Sequence, residues 1–343
     1  MKGLFEKLNR TLRQGEPAVL VSIVASSGST PRREGAHMLI TREGHLAGTI
    51  GGGAVEYKAE AMAAEVLEKG TSKMQAFTLR KNEIQDLGMV CGGDVSVYFT
   101  YIAPGEPAVL KLTEEIAELY RKNEEAWLVM DISADGCDQV GVYGKYSGMH
   151  GMTVPQEVPD ALSFMPVRVT AGGRTWYAEK LIRSGSVYIF GGGHVAQALV
   201  PILSSVDFHC IVAEDREEFL DPKLFKGLAE TIRVDNEHVL DTVHITENDY
   251  VCIMTRGHKA DMIIESQMLA TPARYIGVIG SRKKIAAVNA QLKERGWTDT
   301  DLRRITTPIG LDIKAETPAE IAVSITAQLI EKRASVNESM VRI

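Results

Sequence analysis

The sequence is poor in cysteine, and its four cysteines form no recognisable disulfide or metal set. Cys91, Cys137, Cys210 and Cys252 include no C-x-x-C pair and no zinc-finger spacing. This pattern excludes a small disulfide-stapled scaffold and a zinc finger. Cys210 and Cys252 lie inside apolar runs, so we expect them to be buried as small hydrophobic residues. A reduced, cytoplasmic protein is the expected setting.

An excess of positive charge and long apolar runs are lacking as well. The 343 residues include 45 Asp and Glu against 38 Lys and Arg, and the formal net charge is −7. Such a charge argues against binding to nucleic acid or to an anionic membrane surface. No apolar run approaches the roughly 20 residues of a spanning helix. We therefore expect neither a nucleic-acid partner nor membrane insertion, and the length suits two domains.

In the second half of the chain, apolar segments alternate with helical patterns. This alternation predicts a parallel sheet wrapped by helices, because parallel strands need long crossover connections. We therefore predict an α/β protein, with an N-terminal mixed α+β domain at residues 1–183 and a C-terminal Rossmann-like domain at 184–343. The predicted strands of the second domain are residues 186–190, 208–213, 231–234, 250–254 and 275–279.

The first of these strands leads into a dinucleotide-binding fingerprint, G-x-G-x-x-A. In such a unit Gly191 allows the tight turn, Gly193 lets the backbone approach a pyrophosphate, and Ala196 lets the helix pack on the strand. His194 lies in the first helical turn, whose N–H groups attract anions. Asp215 follows about 20 residues later, where an acceptor for a ribose 2′-hydroxyl is expected. The alternatives are a ligand-free glycine turn and a structural role for Asp215.

Two further loops follow the fourth and fifth strands of the predicted sheet. Ligands of open α/β sheets gather at the carboxyl ends of the strands. The basic and hydroxyl side chains of these loops therefore predict an anion-binding rim, with solvated surface charges as the alternative. The rim residues are Arg256, His258, Ser281, Arg282 and Lys283.

The first half carries a glycine turn of its own. Gly51, Gly52 and Gly53 end a predicted strand and open a predicted helix, as in a phosphate cradle. Arg32 and Arg33 lie in a preceding polar turn, residues 26–35, and supply guanidinium groups for a phosphate or an oxygen-rich ring. We predict that both segments bind a cofactor.

Cys91 is the cysteine with the most reactive setting. Gly92 and Gly93 follow it and provide little side-chain bulk to bury the thiol. Free N–H groups of an exposed turn favour the thiolate, whereas Cys137 stands among carboxylates that disfavour it. Cys91 is therefore the candidate catalytic or metal-ligating residue.

Seven short motifs follow one another along the chain: GSTPR at 28–32, GTIGGGAVE at 48–56, MVCGG at 89–93, IFGGGHVA at 189–196, YIGVIGSRK at 275–283, PIGLD at 308–312 and ETPAEIA at 316–322. In this order they resemble the xanthine dehydrogenase maturation factor family, the XdhC/CoxI type. The chain departs from the family pattern at three positions. Ala54 stands where many relatives have cysteine, Arg256 where they tend to have histidine, and Lys314 where glycine is usual.

The resemblance implies an accessory factor of molybdenum hydroxylases. Such proteins bind the molybdenum cofactor (molybdopterin), hold it while a cysteine desulfurase supplies the terminal sulfur, and insert it into the apo-enzyme. Cys91 would then ligate molybdenum or lie beside the sulfuration step, since a thiolate suits a metal–sulfur centre. Relatives also suggest a homodimer.

Two other functions fit parts of the sequence. The fingerprint and Asp215 fit an NAD(P)-dependent oxidoreductase with an N-terminal substrate domain, although no hydride-transfer constellation follows the nucleotide site. A cysteine-nucleophile enzyme would pair Cys91 with His37 or His258.

Overall fold

The computed structural model describes residues 1–79, 93–133, 140–183, 185–227, 229–280 and 282–341. It divides into two compact units, Met1–Arg183 and Ser184–Ile343. None of the helices in these ranges has both the length and the apolar character that a bilayer crossing requires.

The first unit contains two antiparallel sheets. The first sheet has the order β3-β2-β1-β5-β4. Its central strand β1 is fully buried over its first seven residues. Helix α2 (Gly53–Lys69) covers one face with Val55, Ala59 and Ala63. The strands are β1 (Ala18–Gly28), β2 (His37–Thr41), β3 (Gly44–Gly48), β4 (Lys73–Leu79) and β5 (Gly93–Ile102).

The second sheet of this unit shares a core with the first. Its order is β8-β7-β6-β10-β9. Side chains from both sheets form one apolar cluster with helices α1 (Lys2–Arg13) and α3 (Pro107–Arg121). Leu4, Phe5 and Leu8 form the apolar face of α1 that is buried there. The remaining elements are β6 (Ala126–Asp131), β7 (Val140–Gly144), β8 (Gly148–His150), α4 (Glu157–Asp160), β9 (Val167–Ala171) and β10 (Arg174–Ile182).

The second unit is a doubly wound parallel sheet. Its strand order, β13-β12-β11-β14-β15-β16, is the Rossmann order 3-2-1-4-5-6. All five pairs of neighbouring strands are parallel, which confirms the predicted fold class. The strands are β11 (Ser186–Phe190), β12 (His209–Glu214), β13 (Ala229–Arg233), β14 (Tyr250–Ile253), β15 (Tyr275–Val278) and β16 (Ile305–Thr306).

Helices cover both faces of this sheet. One apolar cluster joins it to α5 (His194–Ser205) and α9 (Pro318–Val341), and another to α6 (His258–Leu269) and α7 (Arg282–Glu294). The short helix α8 (Asp299–Leu302) precedes β16. A capping box opens α9, because Glu320 accepts from the Thr317 N–H at 2.9 Å and donates its own N–H to the Thr317 hydroxyl at 3.3 Å.

Candidate functional site

In the first unit, three predicted segments meet at one end of the first sheet. A β-carbon built on Gly51, whose φ is +123°, would lie 2.8 Å from the Pro31 Cβ and 3.3 Å from the Arg32 Cγ. A β-carbon on Gly93 would overlap the carbonyl of Ser27 and lie 3.0 Å from the Thr30 Cγ2. The polar turn therefore packs directly against both glycines, and only glycine fits at either place.

The polar turn is closed by its own hydrogen bonds. Glu34 accepts from the backbone N–H of Ser26 at 2.6 Å and from its hydroxyl at 3.0 Å. The Thr30 hydroxyl donates to the carbonyl of Arg32 at 2.9 Å. Arg32 and Arg33 are exposed on this turn. Both side chains are therefore accessible to a ligand.

The glycine turn is held from behind by Glu56, in the first turn of α2. One oxygen, Oε2, accepts from the Thr49 hydroxyl at 2.6 Å and from the N–H groups of Ile50 and Gly52, both at 3.0 Å. The N–H of Gly51 donates to the Thr49 hydroxyl at 3.1 Å. Burial raises the pKa of Glu56, but these hydrogen bonds lower it overall. The carboxylate is therefore ionised at neutral pH.

This arrangement differs from the phosphate cradle expected from the sequence. The N–H groups of Gly51 and Gly52 are engaged within the protein, and an anionic carboxylate lies at the start of α2. Such a charge neutralises the helix dipole and repels a phosphate. Arg32 and Arg33 are the positively charged residues among the predicted site residues of this unit.

In the second unit, the fingerprint turn lies where the strand order reverses. Gly191 has a φ of +112°, and a β-carbon there would lie 2.5 Å from the Met254 carbonyl oxygen and 3.1 Å from the Thr255 Cα. The turn after β11 thus packs on the segment after β14. In an open α/β sheet, the crevice between these two strands is the ligand site.

Glu214, the last residue of β12, fixes this turn. Its side chain is 3% exposed, and its Oε2 accepts from the Gly192 N–H at 2.8 Å. Arg216 donates to both of its oxygens at 2.9 Å. Burial raises the pKa of Glu214, but the hydrogen bonds from Arg216 and its neighbours bring it to about 2. The buried acid at the end of the second strand therefore makes its hydrogen bonds within the protein.

Asp215, the predicted ribose acceptor, lies next to this carboxylate. Its side chain is half exposed, and its Oδ1 is 3.8 Å from the Arg216 Nε. A hydrogen bond with Glu214 raises the pKa of Asp215, and burial adds to the effect. Arg216 is stacked over the Phe219 ring at 4.0 Å. The sequence missed Glu214 because the fingerprint places an acid at this strand end without specifying which of two adjacent acids is buried.

The N-terminus of α5 is open. A β-carbon on Gly193 would meet nothing within 4 Å, and the first turn of α5, which begins at His194, carries no acidic residue. Free N–H groups and a partial positive charge at such a terminus suit a phosphate. This property separates α5 from α2, which has Glu56 in its first turn.

A buried pair of carboxyl groups lies at the same edge of the sheet, on α6. Asp261 accepts from the Thr255 N–H at 3.0 Å and from its hydroxyl at 2.6 Å. Glu265, one turn later and 3% exposed, faces a small cavity that Gly280, Asn289 and other residues line. Burial and the charge of Asp261 raise the pKa of Glu265 to about 8. The sequence signal was an acid at helical spacing within an apolar helix.

The predicted rim is only partly described. Arg256 is exposed after β14, His258 opens α6, and Arg282 opens α7 with Lys283 next to it. Cys91, Gly92 and Ser281 lie outside the described residues. Gly93, which follows Cys91 by two residues, is in contact with the polar turn.

His37 is enclosed in a structural network. Its Nδ1 is 2.8 Å from the Ser22 hydroxyl, and its Nε2 pairs with Glu179, which also accepts from the Tyr177 hydroxyl at 2.7 Å. The His37 side chain is fully buried. Both ring nitrogens are occupied, so His37 does not suit the role of a base for Cys91.

A larger cavity of about 350 Å³ lies between α1 and α3 in the first unit. Phe5, Leu8, Tyr101 and Leu112 are among its walls, and Glu106 is the only charged side chain among the described residues that line it. The described lining therefore offers no cation to an anionic cofactor, and it includes none of the predicted site residues.

Two family models match the chain. Residues 187–329 match the XdhC Rossmann domain, and residues 11–78 match the XdhC and CoxI family. The chain belongs to the XdhC and CoxI family.

Relatives of this XdhC-family protein support the same assignment. It is 22% identical to a Bacillus subtilis protein named as a probable xanthine dehydrogenase subunit, covering 95% of this chain and 96% of that protein. It is 23% identical to the molybdenum cofactor insertion chaperone PaoD of Escherichia coli, covering 94% and 85% respectively. It is also 23% identical to Escherichia coli YqeB over 96% of this chain, but spans only 46% of YqeB.

A solved structure shows the same fold over nearly the whole chain. The crystal structure described as a xanthine dehydrogenase from Bacillus halodurans superposes with a TM-score of 0.75 at 25% sequence identity. The match covers 96% of both chains. Both units of this XdhC-family protein therefore have counterparts in one experimentally determined relative.

Proposed function

We propose that the protein is a maturation factor that binds the molybdenum cofactor and inserts it into a molybdenum hydroxylase of the xanthine dehydrogenase type. The observation that carries this proposal is the packing of the arginine-bearing turn against Gly51 and Gly93 in a protein of the XdhC family. The name of the relative PaoD supports the same cargo. The client apo-enzyme and a homodimeric assembly are part of the proposal.

The residues of the first unit suit the proposed cargo. Arg32 and Arg33 offer guanidinium groups to oxygen-rich or phosphorylated groups. Cys91 is two residues from Gly93 in the sequence and would supply a thiolate to molybdenum or to the sulfur that a cysteine desulfurase delivers. In this proposal the arginines recognise the cofactor, and Cys91 takes part in the sulfur chemistry.

The residues of the second unit suit a phosphate. The turn at Gly193 is open, and α5 begins without an acid. A phosphate or pyrophosphate group would be held by the first N–H groups of α5. Ser281, Arg282 and Lys283 would contribute further donors from the neighbouring strand end.

The NAD(P)-dependent oxidoreductase remains the second candidate, because the strand order and the open Gly193 turn also fit a dinucleotide. Calorimetry with NAD and NADP separates the two. An NAD enzyme would show heat of binding and protection against melting, and the absence of both would remove this candidate.

The principal test is the pterin content of protein purified from a host that makes molybdopterin. We expect extractable pterin in the wild type and its loss, or the loss of client activation, in Cys91→Ala. Cys137→Ala is the matched control, since that cysteine stands among carboxylates, and it should behave as wild type. Absence of pterin affinity at micromolar wild-type protein, with or without added sulfur, would refute the proposal.

A further inference from the structure

We propose that His45, Glu56 and Glu60 form a binding site for a divalent transition-metal ion. This site is additional to the proposed cofactor function and does not depend on it. The three side chains come from β3 and from the first two turns of α2. Their nearest ligand atoms all lie within 4.8 Å of one another.

The distances suit a single ion. The Nδ1 of His45 is 3.3 Å from the Glu60 Oε1 and 3.9 Å from the Glu56 Oε1. An ion about 2.0–2.2 Å from each nitrogen or oxygen ligand separates those ligands by roughly 3–4 Å. No large movement of the three side chains is therefore needed to enclose the ion.

The tautomer of His45 is set for metal binding. Its Nε2 is 2.8 Å from the carbonyl oxygen of Gly48, and a carbonyl only accepts, so Nε2 carries a proton. In the neutral ring, the lone pair is then on Nδ1, which faces the two glutamates. A histidine that donates one ring N–H to a backbone carbonyl and presents the other nitrogen is the usual arrangement of a metal ligand.

The two carboxylate oxygens of Glu56 have different neighbours. Its Oε2 accepts from Thr49, Ile50 and Gly52, whereas Oε1 faces His45. Among the described residues, no lysine or arginine forms an ion pair with Glu56 or Glu60. The two carboxyl groups therefore lie close together with no lysine or arginine paired to them in the described part of the chain, and a divalent ion would supply the positive charge.

The ligand set selects the metal. One imidazole and two carboxylates suit Mn²⁺ or Zn²⁺ better than a soft ion. The side chains of His45 and Glu60 are 32% and 39% exposed, so water can complete the coordination. The bound ion would join β3 to α2 and so fix the Gly51–Gly53 turn.

The test is a titration of untagged full-length protein with Mn²⁺. Binding is measured as the loss of the electron paramagnetic resonance signal of aqueous Mn²⁺. Mn²⁺ avoids confusion with thiols, which bind it poorly. We expect one ion per chain, displaced by Zn²⁺. His45→Gln and Glu60→Gln should each weaken binding by about tenfold or more.

Glu68→Gln is the matched control, because Glu68 is an exposed glutamate on the same helix that lies outside the cluster. It should bind Mn²⁺ as tightly as wild type. Mn²⁺ should raise the melting temperature of the wild type and of Glu68→Gln but not that of Glu60→Gln. The alternative, in which a protonated His45 alone balances the carboxylates, predicts no stoichiometric binding of Mn²⁺ or Zn²⁺ by wild type.

The absence of stoichiometric metal binding by wild type, or equal affinity of wild type and Glu60→Gln for Mn²⁺, would overturn the proposed metal site. Pterin content is measured separately, so either result leaves the cofactor proposal standing. Retained pterin binding in Glu60→Gln, together with lost Mn²⁺ binding, would show that the ion is independent of the cargo.

Discussion

The buried carboxylate of Glu214 accepts a 2.8 Å hydrogen bond from the backbone N–H of Gly192. Through this bond, the end of β12 holds the glycine turn that follows β11. Removal of the side chain leaves the N–H of Gly192 without its acceptor and takes from Arg216 its buried carboxylate partner. Unpaired groups of this kind cost about 2–4 kcal/mol of unfolding free energy.

We therefore expect Glu214→Ala to speed amide hydrogen exchange in the peptides that cover residues 187–216. Asp215→Ala is the matched control, since the Asp215 side chain is half exposed, and it should leave exchange near the wild-type rate. Equal effects of the two substitutions would contradict the assignment of Glu214 as the anchor of the turn.

Substitution by alanine should affect the melting temperature differently at the two outer glycines of the fingerprint. Gly191→Ala places a methyl group against the Met254 carbonyl in a left-handed conformation, so we expect poor folding or a melting temperature lowered by several degrees. Gly193→Ala places the methyl in open space at a φ of −70°, so the melting temperature should stay near that of wild type.

The same methyl on residue 193 would stand where a phosphate approaches α5. Gly193→Ala should therefore weaken pterin retention by about tenfold or more while the protein stays folded. Unchanged pterin content in a folded Gly193→Ala protein would exclude α5 as the phosphate site.

Glu265 should make the stability of the protein pH-dependent near neutrality. Its folded-state pKa of about 8 exceeds the unfolded value of 4.5, so the folded state holds a proton that the unfolded state loses. Stability is therefore greatest below about pH 4.5 with respect to this group, and it falls as the pH rises towards 8.

Glu265→Gln keeps a neutral side chain at every pH and removes this loss. We expect the variant to exceed wild type in unfolding free energy by roughly 1–4 kcal/mol at pH 8, and to match it near pH 4.5. Urea unfolding at several pH values measures both, with Glu68→Gln as the surface control. A difference that is independent of pH would contradict the buried, protonated state of Glu265.

His37 should matter for stability and not for cysteine chemistry. His37→Ala removes a buried partner of Glu179, and we expect a loss of about 3–5 kcal/mol. The alkylation rate of Cys91, measured against pH, should be unchanged in whatever fraction stays folded. A lowered rate would instead support the thiol-nucleophile function, in which His37 is the base.

The parallel strands were the most predictable part of the fold. Residues of β11 and β14 are buried on both faces, so each reads as a continuous apolar run, and the predicted bounds agree with the structure to within one residue. Strand β16 was missed, because it has only two residues, which pair with Ile276 and Gly277.

The residue types of the candidate site were predictable from the sequence, but the hydrogen-bond partners and the burial of these residues were not. The sequence shows that Gly51–Gly53 forms a turn, but it does not show that Glu56, in the first turn of the following helix, accepts from the N–H groups of Ile50 and Gly52. Likewise, strand alternation puts Glu214 and Asp215 on opposite faces, and which of them is buried depends on where β12 ends. Both outcomes depend on tertiary contacts over four to 22 residues.

The shared core of the two antiparallel sheets sets the smallest fragment that can fold. The family match at residues 11–78 omits β5, which lies between β1 and β4, and most of α1. A fragment cut after residue 104 would restore β5 but strip α3 and the whole second sheet from the apolar cluster. Domain dissection of this protein should therefore begin from residues 1–183, because any shorter piece would expose a hydrophobic face to aggregation.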